Sequence, residues 1–150
     1  MTQVIIDGDA CPVTDSIIQL TEGTGIFVVL VRSYSHFSMR DYPEHVKVSY
    51  VDDGPDQVDY KIVQLAQPDD IVVTQDYGLA SLLIGKIQYV LHHNGMLYSD
   101  KNMAQLLEQR YLNAQTRHQG KRHKGPKKFS DEARAKFEQS FQRVIAQISS

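Results

Sequence analysis

Cysteine is nearly absent from this chain, tryptophan is absent, and no long apolar run occurs. The single cysteine, Cys11, excludes an intrachain disulfide and with it a small disulfide-stabilised secreted scaffold. No apolar stretch approaches the roughly 20 residues that a membrane-spanning helix needs. The first apolar run stops at Ile6, which is too short for a signal peptide. We therefore expect a cytoplasmic protein that has no membrane partner.

A strong excess of charge is also lacking. The 16 Lys and Arg residues nearly balance the 18 Asp and Glu residues, which leaves a formal net charge of −2. The molecule as a whole is therefore not a polycation that binds nucleic acid over its entire surface. A chain of 150 residues with 41% hydrophobic content can bury one ordinary core, and nothing in it requires a second. We predict a single domain over residues 1–150.

Apolar strands and amphipathic helices alternate along the sequence. The apolar runs predict strands at 4–6, 26–31, 46–51, 71–74 and 89–91. Between and after them, helices are predicted from Pro12, from Gly54-Pro55, over 79–84 and from Asp100. Strands that are apolar without alternation are buried on both faces, which is typical of a parallel sheet covered by helices. The fold class is therefore α/β with three layers.

Two carboxylates, Asp7 and Asp9, directly follow the first strand. In open α/β sheets, ligands bind beyond the carboxyl ends of the strands, so both side chains are candidates for a site. Carboxylates this close repel each other unless a cation or a shared proton intervenes, and hard oxygen ligands favour Mg²⁺ or Mn²⁺. The alternative is that Asp7 ends the strand and Asp9 caps the helix from Pro12. We favour a site, because one helix start does not need two acids.

The fourth strand repeats this arrangement with Asp76. If the first and fourth strands are neighbours, Asp76 lies beside Asp7 and Asp9; its alternative role is another helix cap. Asp56 and Asp59 are three residues apart on the preceding helix, hence on one face. We interpret Asp56 as a helix-start acid. For Asp59, one turn further inside, a site role and a solvated turn both remain open.

Cys11 and the pair His92-His93 are weaker candidates. Nearby acids would raise the pKa of a Cys11 thiol, and no sequence feature supplies a base for it, so we expect a structural role. Adjacent histidines at a turn are usually solvated, although they follow the fifth strand and could add a ligand.

The C-terminal part of the chain has a different character. Residues 117–128 hold six Lys and Arg residues, two His residues and no acid, and removing those six charges from −2 leaves −8 for the remainder. We predict an exposed basic loop over 117–129 and an amphipathic docking helix over 130–149, capped by Ser130. The predicted phosphate contacts of the loop are Lys121, Arg122, Lys124, Lys127 and Lys128. Equally, the loop could be solvated and pair with the acidic remainder.

Several of these segments together resemble the YaiI/YqxD family of bacterial proteins of uncharacterised function. The segments are Asp7-Gly8-Asp9-Ala10-Cys11-Pro12-Val13, Val58-Asp59, Thr74-Gln75-Asp76-Tyr77-Gly78-Leu79-Ala80, the Gly120–Pro126 part of the basic loop, and Phe129-Ser130. That family is similar to PIN-like domains, a superfamily of metal-dependent nucleases. The resemblance implies a five-stranded parallel sheet of order 3-2-1-4-5, with site acids Asp7, Asp59 and Asp76 and a family-specific Asp9. PIN nucleases often carry a further acid after the fifth strand, where this chain has His92, His93 and Asn94.

The resulting hypothesis is a nuclease that hydrolyses phosphodiester bonds with Mg²⁺ or Mn²⁺. Asp7, Asp9 and Asp76 would bind the metal, Asp59 would be an outer ligand or orient water, and RNA is the expected partner by analogy with the superfamily. One alternative is a PIN-like module that binds nucleic acid without catalysis. A second is a phosphatase of the haloacid dehalogenase type, with Asp7 as nucleophile and Asp9 as general acid. That chemistry needs a later acidic pair, and Asp69-Asp70 lies before the fourth strand instead of after it.

Overall fold

Five parallel strands form the central sheet of the protein, for which a computed structural model describes residues 2–118 and 128–149. The strands are β1 (Gln3–Asp7), β2 (Phe27–Ser33), β3 (Val46–Val51), β4 (Ile71–Val73) and β5 (Tyr89–Leu91). The helices are α1 (Thr14–Thr21), α2 (Gln57–Leu65), α3 (Tyr77–Leu83), α4 (Asp100–His118) and α5 (Asp131–Ser149), and a short 3₁₀ turn covers Tyr34–His36.

The strand order is β3-β2-β1-β4-β5, and every pair in it is parallel. This confirms the order 3-2-1-4-5 and the α/β class. β1 lies in the middle, where Val4 pairs with Val28 on one side and with Ile71 on the other. β2 runs two residues further than predicted, because its pairing with β3 continues to Ser33. The carboxyl ends of β2, β1 and β4 therefore meet at one edge.

Successive side chains of β1 point to opposite faces of the sheet, and each face packs against its own layer of the core. Val4 and Ile6 face one cluster, which contains the α5 residues Phe137 and Phe141. Ile5 faces the other cluster, which is built largely from α2, α3 and α4. Successive side chains of a strand point to opposite faces, so Asp7 continues the Ile5 face and is directed toward α2 and α3.

Helix α5 packs on the sheet through the apolar stripe that the sequence predicts. Phe137, Phe141 and Val144 are buried. Ser130 accepts a hydrogen bond on its hydroxyl from the backbone N–H of Ala133 at 3.0 Å, as expected for a helix cap. None of the helices in the described part of the chain is both long enough and apolar enough to cross a membrane.

The start of α1 differs from the sequence prediction. The helix begins at Thr14, two residues after Pro12, and its N-cap Val13 provides no side-chain hydrogen bond. The alternative interpretation of Asp9 as the cap of this helix is therefore wrong. Asp9 is engaged elsewhere, at the end of β2.

Candidate active site

Asp7 is the last residue of β1, and Thr74 at the end of β4 fixes its carboxylate. The Thr74 hydroxyl donates a hydrogen bond to Oδ2 of Asp7 at 2.7 Å. Thr74 is itself buried, and its carbonyl accepts a hydrogen bond from the Tyr98 hydroxyl at 3.0 Å. Burial raises the pKa of Asp7, the hydrogen bond from Thr74 lowers it, and the charges of Asp76 and Asp9 raise it further. Asp7 is thus a partly desolvated carboxylate beside other acids.

Asp76 follows β4 and caps α3. Its Oδ1 accepts a hydrogen bond from the backbone N–H of Leu79 at 3.2 Å, and its own N–H donates to the Thr74 hydroxyl at 3.0 Å. The same hydroxyl therefore contacts both Asp7 and the backbone of Asp76. Asp76 therefore caps α3, as one interpretation of the sequence proposed. It also lies next to Asp7, because β1 and β4 are neighbours.

Asp59 reaches the same place from α2. Burial, followed by the charges of Asp76, Asp7 and Asp56, raises the pKa of Asp59 to about 6, and contact with the Asp76 carboxyl contributes. Asp59 lies in the first turn of α2, whose inner face packs on the same cluster as Ile5. The sequence left the position of Asp59 open, and in the structure Asp59 lies near Asp7 and Asp76. Asp7, Asp59 and Asp76, here called the acidic triad, come from three separate elements.

The acidic triad has the donor chemistry of a hard divalent cation. Within residues 2–118 and 128–149, no group of three or more His, Cys, Asp or Glu residues is arranged to hold a metal ion. The predicted ligand set of Asp7, Asp9 and Asp76 therefore stays a prediction. Mg²⁺ is commonly held by only one or two carboxylates, with water and substrate phosphates completing its shell. Asp7 and Asp76 fit such an open site, and a cation there would relieve their repulsion.

Asp9 is turned toward the end of β2. Its Oδ1 accepts a hydrogen bond from the backbone N–H of Ser33 at 2.9 Å, and its Oδ2 accepts one from the Ser33 hydroxyl at 2.8 Å. Nδ1 of His36 lies 3.3 Å from Oδ1. Both oxygens are thus used to hold the 3₁₀ turn that follows β2. This geometry favours a structural role for Asp9, and its metal role stays a prediction.

The two histidines after β5 are held neutral by their surroundings. Burial, together with the nearby His93, lowers the pKa of His92 to about 4, and burial lowers the pKa of His93 as well. Nδ1 of His92 accepts a hydrogen bond from the backbone N–H of Asn94 at 3.0 Å. His93 packs against Phe129 with ring centroids 5.3 Å apart. Neither histidine supplies a positive charge at neutral pH.

Cys11 has the environment of a structural residue. It packs partly buried against the core cluster on the α5 side of the sheet. Burial raises the pKa of the Cys11 thiol, which is the opposite of what an activated nucleophile requires. The residue shares a small cavity of about 10 Å³ with Asp7 and His93, too small for a substrate.

The basic loop falls mostly outside the described residues. Lys121, Arg122, Lys124 and Lys127 lie there, and their predicted phosphate contacts stay a prediction. Lys128, the last of the five, is exposed immediately before Phe129. The Phe129 ring lies under the guanidinium of Arg134, with 5.3 Å between the Arg134 carbon and the ring centroid.

Sequence reasoning missed three residues that shape this edge of the sheet. Thr74 connects Asp7 with Asp76, Ser33 holds Asp9, and Arg110 of α4 shares a cleft with Asp76. A hydroxyl two residues before a capping Asp is a signal that could have identified Thr74. No local pattern distinguishes Ser33 or Arg110, because both act across the fold.

Comparison with known proteins places the chain among relatives whose activity is not described. The model of a family described as uncharacterized, the YaiI/YqxD family, matches residues 5–147. A UPF0178 protein of Staphylococcus epidermidis is 64% identical over 147 residues, which cover 98% of this chain and 99% of that protein. A UPF0178 protein of Staphylococcus aureus is 64% identical over 148 residues, covering 99% of this chain and 97% of that protein. No solved structure matches the chain. The family match and the full-length relatives together show that this chain belongs to the YaiI/YqxD family.

Proposed function

We propose that the acidic triad is the active site of a nuclease that hydrolyses phosphodiester bonds with Mg²⁺ or Mn²⁺, and that its substrate is RNA. The observation that carries the proposal is the meeting of Asp7, Asp59 and Asp76 at one sheet edge, with their charges coupled. Three acids on separate elements repel one another unless a cation or a shared proton intervenes, and a bound divalent cation would relieve that repulsion. Perturbed carboxyl groups at the carboxyl edge of a parallel sheet are typical of functional sites.

The contacts of each residue indicate its role in the proposed reaction. Asp7 and Asp76 would hold the cation, and its chemistry when bound would be to lower the pKa of water and to offset charge on the phosphate. Thr74 holds Oδ2 of Asp7 by a hydrogen bond, and Oδ1 would contact the cation. Asp59 contacts Asp76 and would orient the attacking water. Ser33 and Asp9 maintain the neighbouring turn, and a metal contact of Asp9 is not needed for this division of roles.

The choice of RNA rests on the resemblance to PIN-like domains and on the basic loop. Without a cation, the acidic triad repels a phosphodiester. The positive charges of residues 117–128 would counter that repulsion and hold the strand by its phosphates. Such contacts give affinity without reading sequence.

Two alternatives are distinguished by specific residues. A binding module without catalysis is favoured by the lack of an acid after β5, where His92 and His93 are neutral. A phosphatase of the haloacid dehalogenase type is disfavoured, because Asp70 is buried at the amino end of β4. There it accepts hydrogen bonds from Gln3 and from the N–H of Gln67 at the sheet edge away from Asp7.

The test is cleavage of a labelled single-stranded RNA in the presence of Mn²⁺, followed on a denaturing gel. Asp7→Asn and Asp76→Asn keep side-chain size and remove a charge, and each should lower the rate by more than the roughly 10–100-fold typical of removing an outer-shell partner. Glu22→Gln, an exposed carboxyl at the far end of α1, is the matched control and should cleave like the parent.

Chelation by EDTA should stop cleavage by the parent protein. Cleavage that survives both EDTA and Asp7→Asn would rule out the proposed site. RNA binding with no metal-dependent cleavage would favour the binding module, and release of phosphate from a small phosphomonoester would favour the phosphatase.

A further inference from the structure

A cleft of about 510 Å³ opens beside Asp76, between the β4–α3 junction and one face of α4. Its volume lies within the range of ordinary ligand sites. One wall holds Gln75, Asp76 and Tyr77, and the other holds Leu106, Gln109, Arg110 and Asn113. The α4 residues are spaced by three, one and three positions, which places them on one helical face. This face is largely polar, unlike a face that packs against a core.

Arg110 provides the positive charge of this cleft. No ion pair or hydrogen bond of its guanidinium is found in the parts of the chain that the structure describes. Asp76 lines the same cleft without pairing to it, so an open space separates the cation from the acidic triad. An anion between a metal held by Asp76 and the guanidinium would meet positive charge on both sides. Guanidinium groups bind phosphate through two parallel hydrogen bonds.

The other lining groups suit a nucleotide strand. Gln109 donates a hydrogen bond to Asn113 at 3.1 Å, which leaves further amide donors and acceptors facing the cleft. Tyr77 supplies an aromatic ring, which lies 6.2 Å from the rings of Tyr98 and His92 and is thereby held in place. Bases stack on such rings regardless of sequence. A phosphate on Arg110 and a base near Tyr77 would extend a strand away from the acidic triad.

We propose that Arg110 is a positioning residue that holds a phosphate of single-stranded RNA lying in this cleft, one step along the strand from the phosphate at Asp76. The inference rests on the proposed function for the identity of the ligand. Arg110 fixes where the strand lies and takes no part in the bond that breaks. The basic loop is a separate source of affinity on other residues.

The test measures binding of a short fluorescent single-stranded RNA by anisotropy across a salt series. All proteins carry Asp7→Asn and are kept in EDTA, so that the strand stays intact. Arg110→Ala should weaken binding about tenfold or more, the effect of removing a charge-assisted hydrogen bond. It should also make the salt slope, which is the slope of the logarithm of the binding constant against the logarithm of the salt concentration, less steep by about 0.7. This is the value for one neutralised phosphate on a single strand.

Arg143→Ala is the matched control, because Arg143 is an exposed arginine on α5, in the layer on the opposite face of the sheet. It should bind like the protein that carries Asp7→Asn alone. Arg110→Lys keeps the charge but not the paired geometry, so it should restore the salt slope and only part of the affinity. Equal binding and equal slopes for Arg110→Ala and Arg143→Ala would overturn the inference. A uridine monophosphate that competes as well as the unlabelled strand would overturn the strand as occupant.

The two proposals fail in different ways. If the parent protein cleaves RNA while Arg110→Ala leaves binding unchanged, the role of Arg110 is wrong and the nuclease stands. If RNA binding depends on Arg110 while the parent shows no metal-dependent cleavage, the proposed nuclease activity is wrong and the proposed role of Arg110 in the cleft is retained.

Discussion

Thr74 illustrates how single residues set the character of the acidic triad. Its hydroxyl donates to Asp7 and accepts from the backbone of Asp76, so the side chain of one acid and the main chain of the other are fixed by one buried group. The hydrogen bond lowers the pKa of Asp7, whereas burial and the neighbouring acids raise it. The hydrogen bond from Thr74 therefore partly offsets the burial and the like charges, which disfavour the charged form of Asp7.

Replacement of Asp7 by Asn should separate metal binding from folding. The amide keeps the size of the side chain and removes a charged ligand, so the affinity for Mn²⁺ should fall about tenfold or more. Without metal the melting temperature should rise, because the repulsion with Asp76 and Asp9 is removed. Calorimetric titration and thermal unfolding in EDTA measure the two effects. Equal Mn²⁺ affinities of the parent and the variant would remove Asp7 from the metal site.

Asp59 should make stability depend on pH in the metal-free protein. Its pKa of about 6 in the folded state lies above the value of 3.8 for an unperturbed Asp, so the folded state binds the proton more tightly. The contribution of Asp59 to the free energy of unfolding is therefore greatest below pH 4. It falls as the pH rises to about 6 and is constant above that.

Asp59→Asn removes this dependence. The difference in the free energy of unfolding between the parent and the variant should change by about 1 kcal/mol between pH 4 and 6. This value is reduced for solvent screening, because the carboxyl is partly exposed. Urea unfolding in EDTA at a series of pH values measures it, with Glu22→Gln as the control. Parallel curves for the parent and Asp59→Asn would show that Asp59 is not perturbed by its neighbours.

At the scale of elements, the tight passage from β1 into the following turn depends on Gly8. Its N–H donates a hydrogen bond to the carbonyl of Val31 at 2.8 Å and so continues the pairing with β2. A Cβ at this position would lie 2.6 Å from Cδ1 of Leu30 and 2.8 Å from the carbonyl oxygen of Val31. The backbone must therefore approach β2 more closely than any side chain permits. Asp7 and Asp9 sit on either side of this close approach.

Gly8→Ala should consequently destabilise the protein by about 1–3 kcal/mol, the usual cost of overpacking. The backbone should also shift to relieve this overlap and should displace Asp7 and Asp9, so the affinity for Mn²⁺ should fall as well. Gly85→Ala is the control, because no atom lies within 4 Å of its added Cβ and its φ is not in the left-handed region. It should stay within about 0.5 kcal/mol of the parent. Urea unfolding compares the variants, and equal stabilities of the two would contradict the close approach at Gly8.

At the scale of the whole molecule, charge is separated between the basic loop and the remainder. Six Lys and Arg residues lie in 117–128, and the remainder has a net charge of −8. An anionic polymer would be repelled by most of the surface and attracted by this segment. The distribution favours one orientation of a bound strand.

Replacing Lys121, Arg122, Lys124, Lys127 and Lys128 together by Ala should weaken RNA binding for all sequences alike. The salt slope should fall by roughly 0.7 for each single-strand phosphate that the loop no longer neutralises. Fluorescence anisotropy across a salt series measures both quantities. Lys47→Ala with Arg143→Ala, two exposed cations elsewhere, is the control and should leave the slope unchanged. An unchanged slope in the five-residue variant would mean that the loop is merely solvated.

The sequence by itself determined the sheet and much of its edge. Strands β3 and β5 begin and end where the sequence predicts them, because both segments are rich in Val and Tyr, which favour strands, even though β3 also carries the exposed Lys47. The strand order and the proximity of Asp76 to Asp7 followed from family resemblance and from the carboxyl-edge rule, and the neighbouring β1 and β4 agree with both. These features depend on local pattern and on general topology, which a linear sequence carries.

Only the tertiary structure decided which partners the side chains take. Asp9 lies only two residues after Asp7 in the sequence, yet Ser33, 24 residues further along, donates hydrogen bonds to both of its carboxylate oxygens. Asp59 joins the acidic triad because α2 packs on the face of the sheet to which Asp7 points. Arg110 lines the same cleft as Asp76 because α4 borders the β4–α3 junction. Hydrogen bonds and charge coupling act over a few ångströms, so they depend on which elements the core brings together and not on distance along the chain.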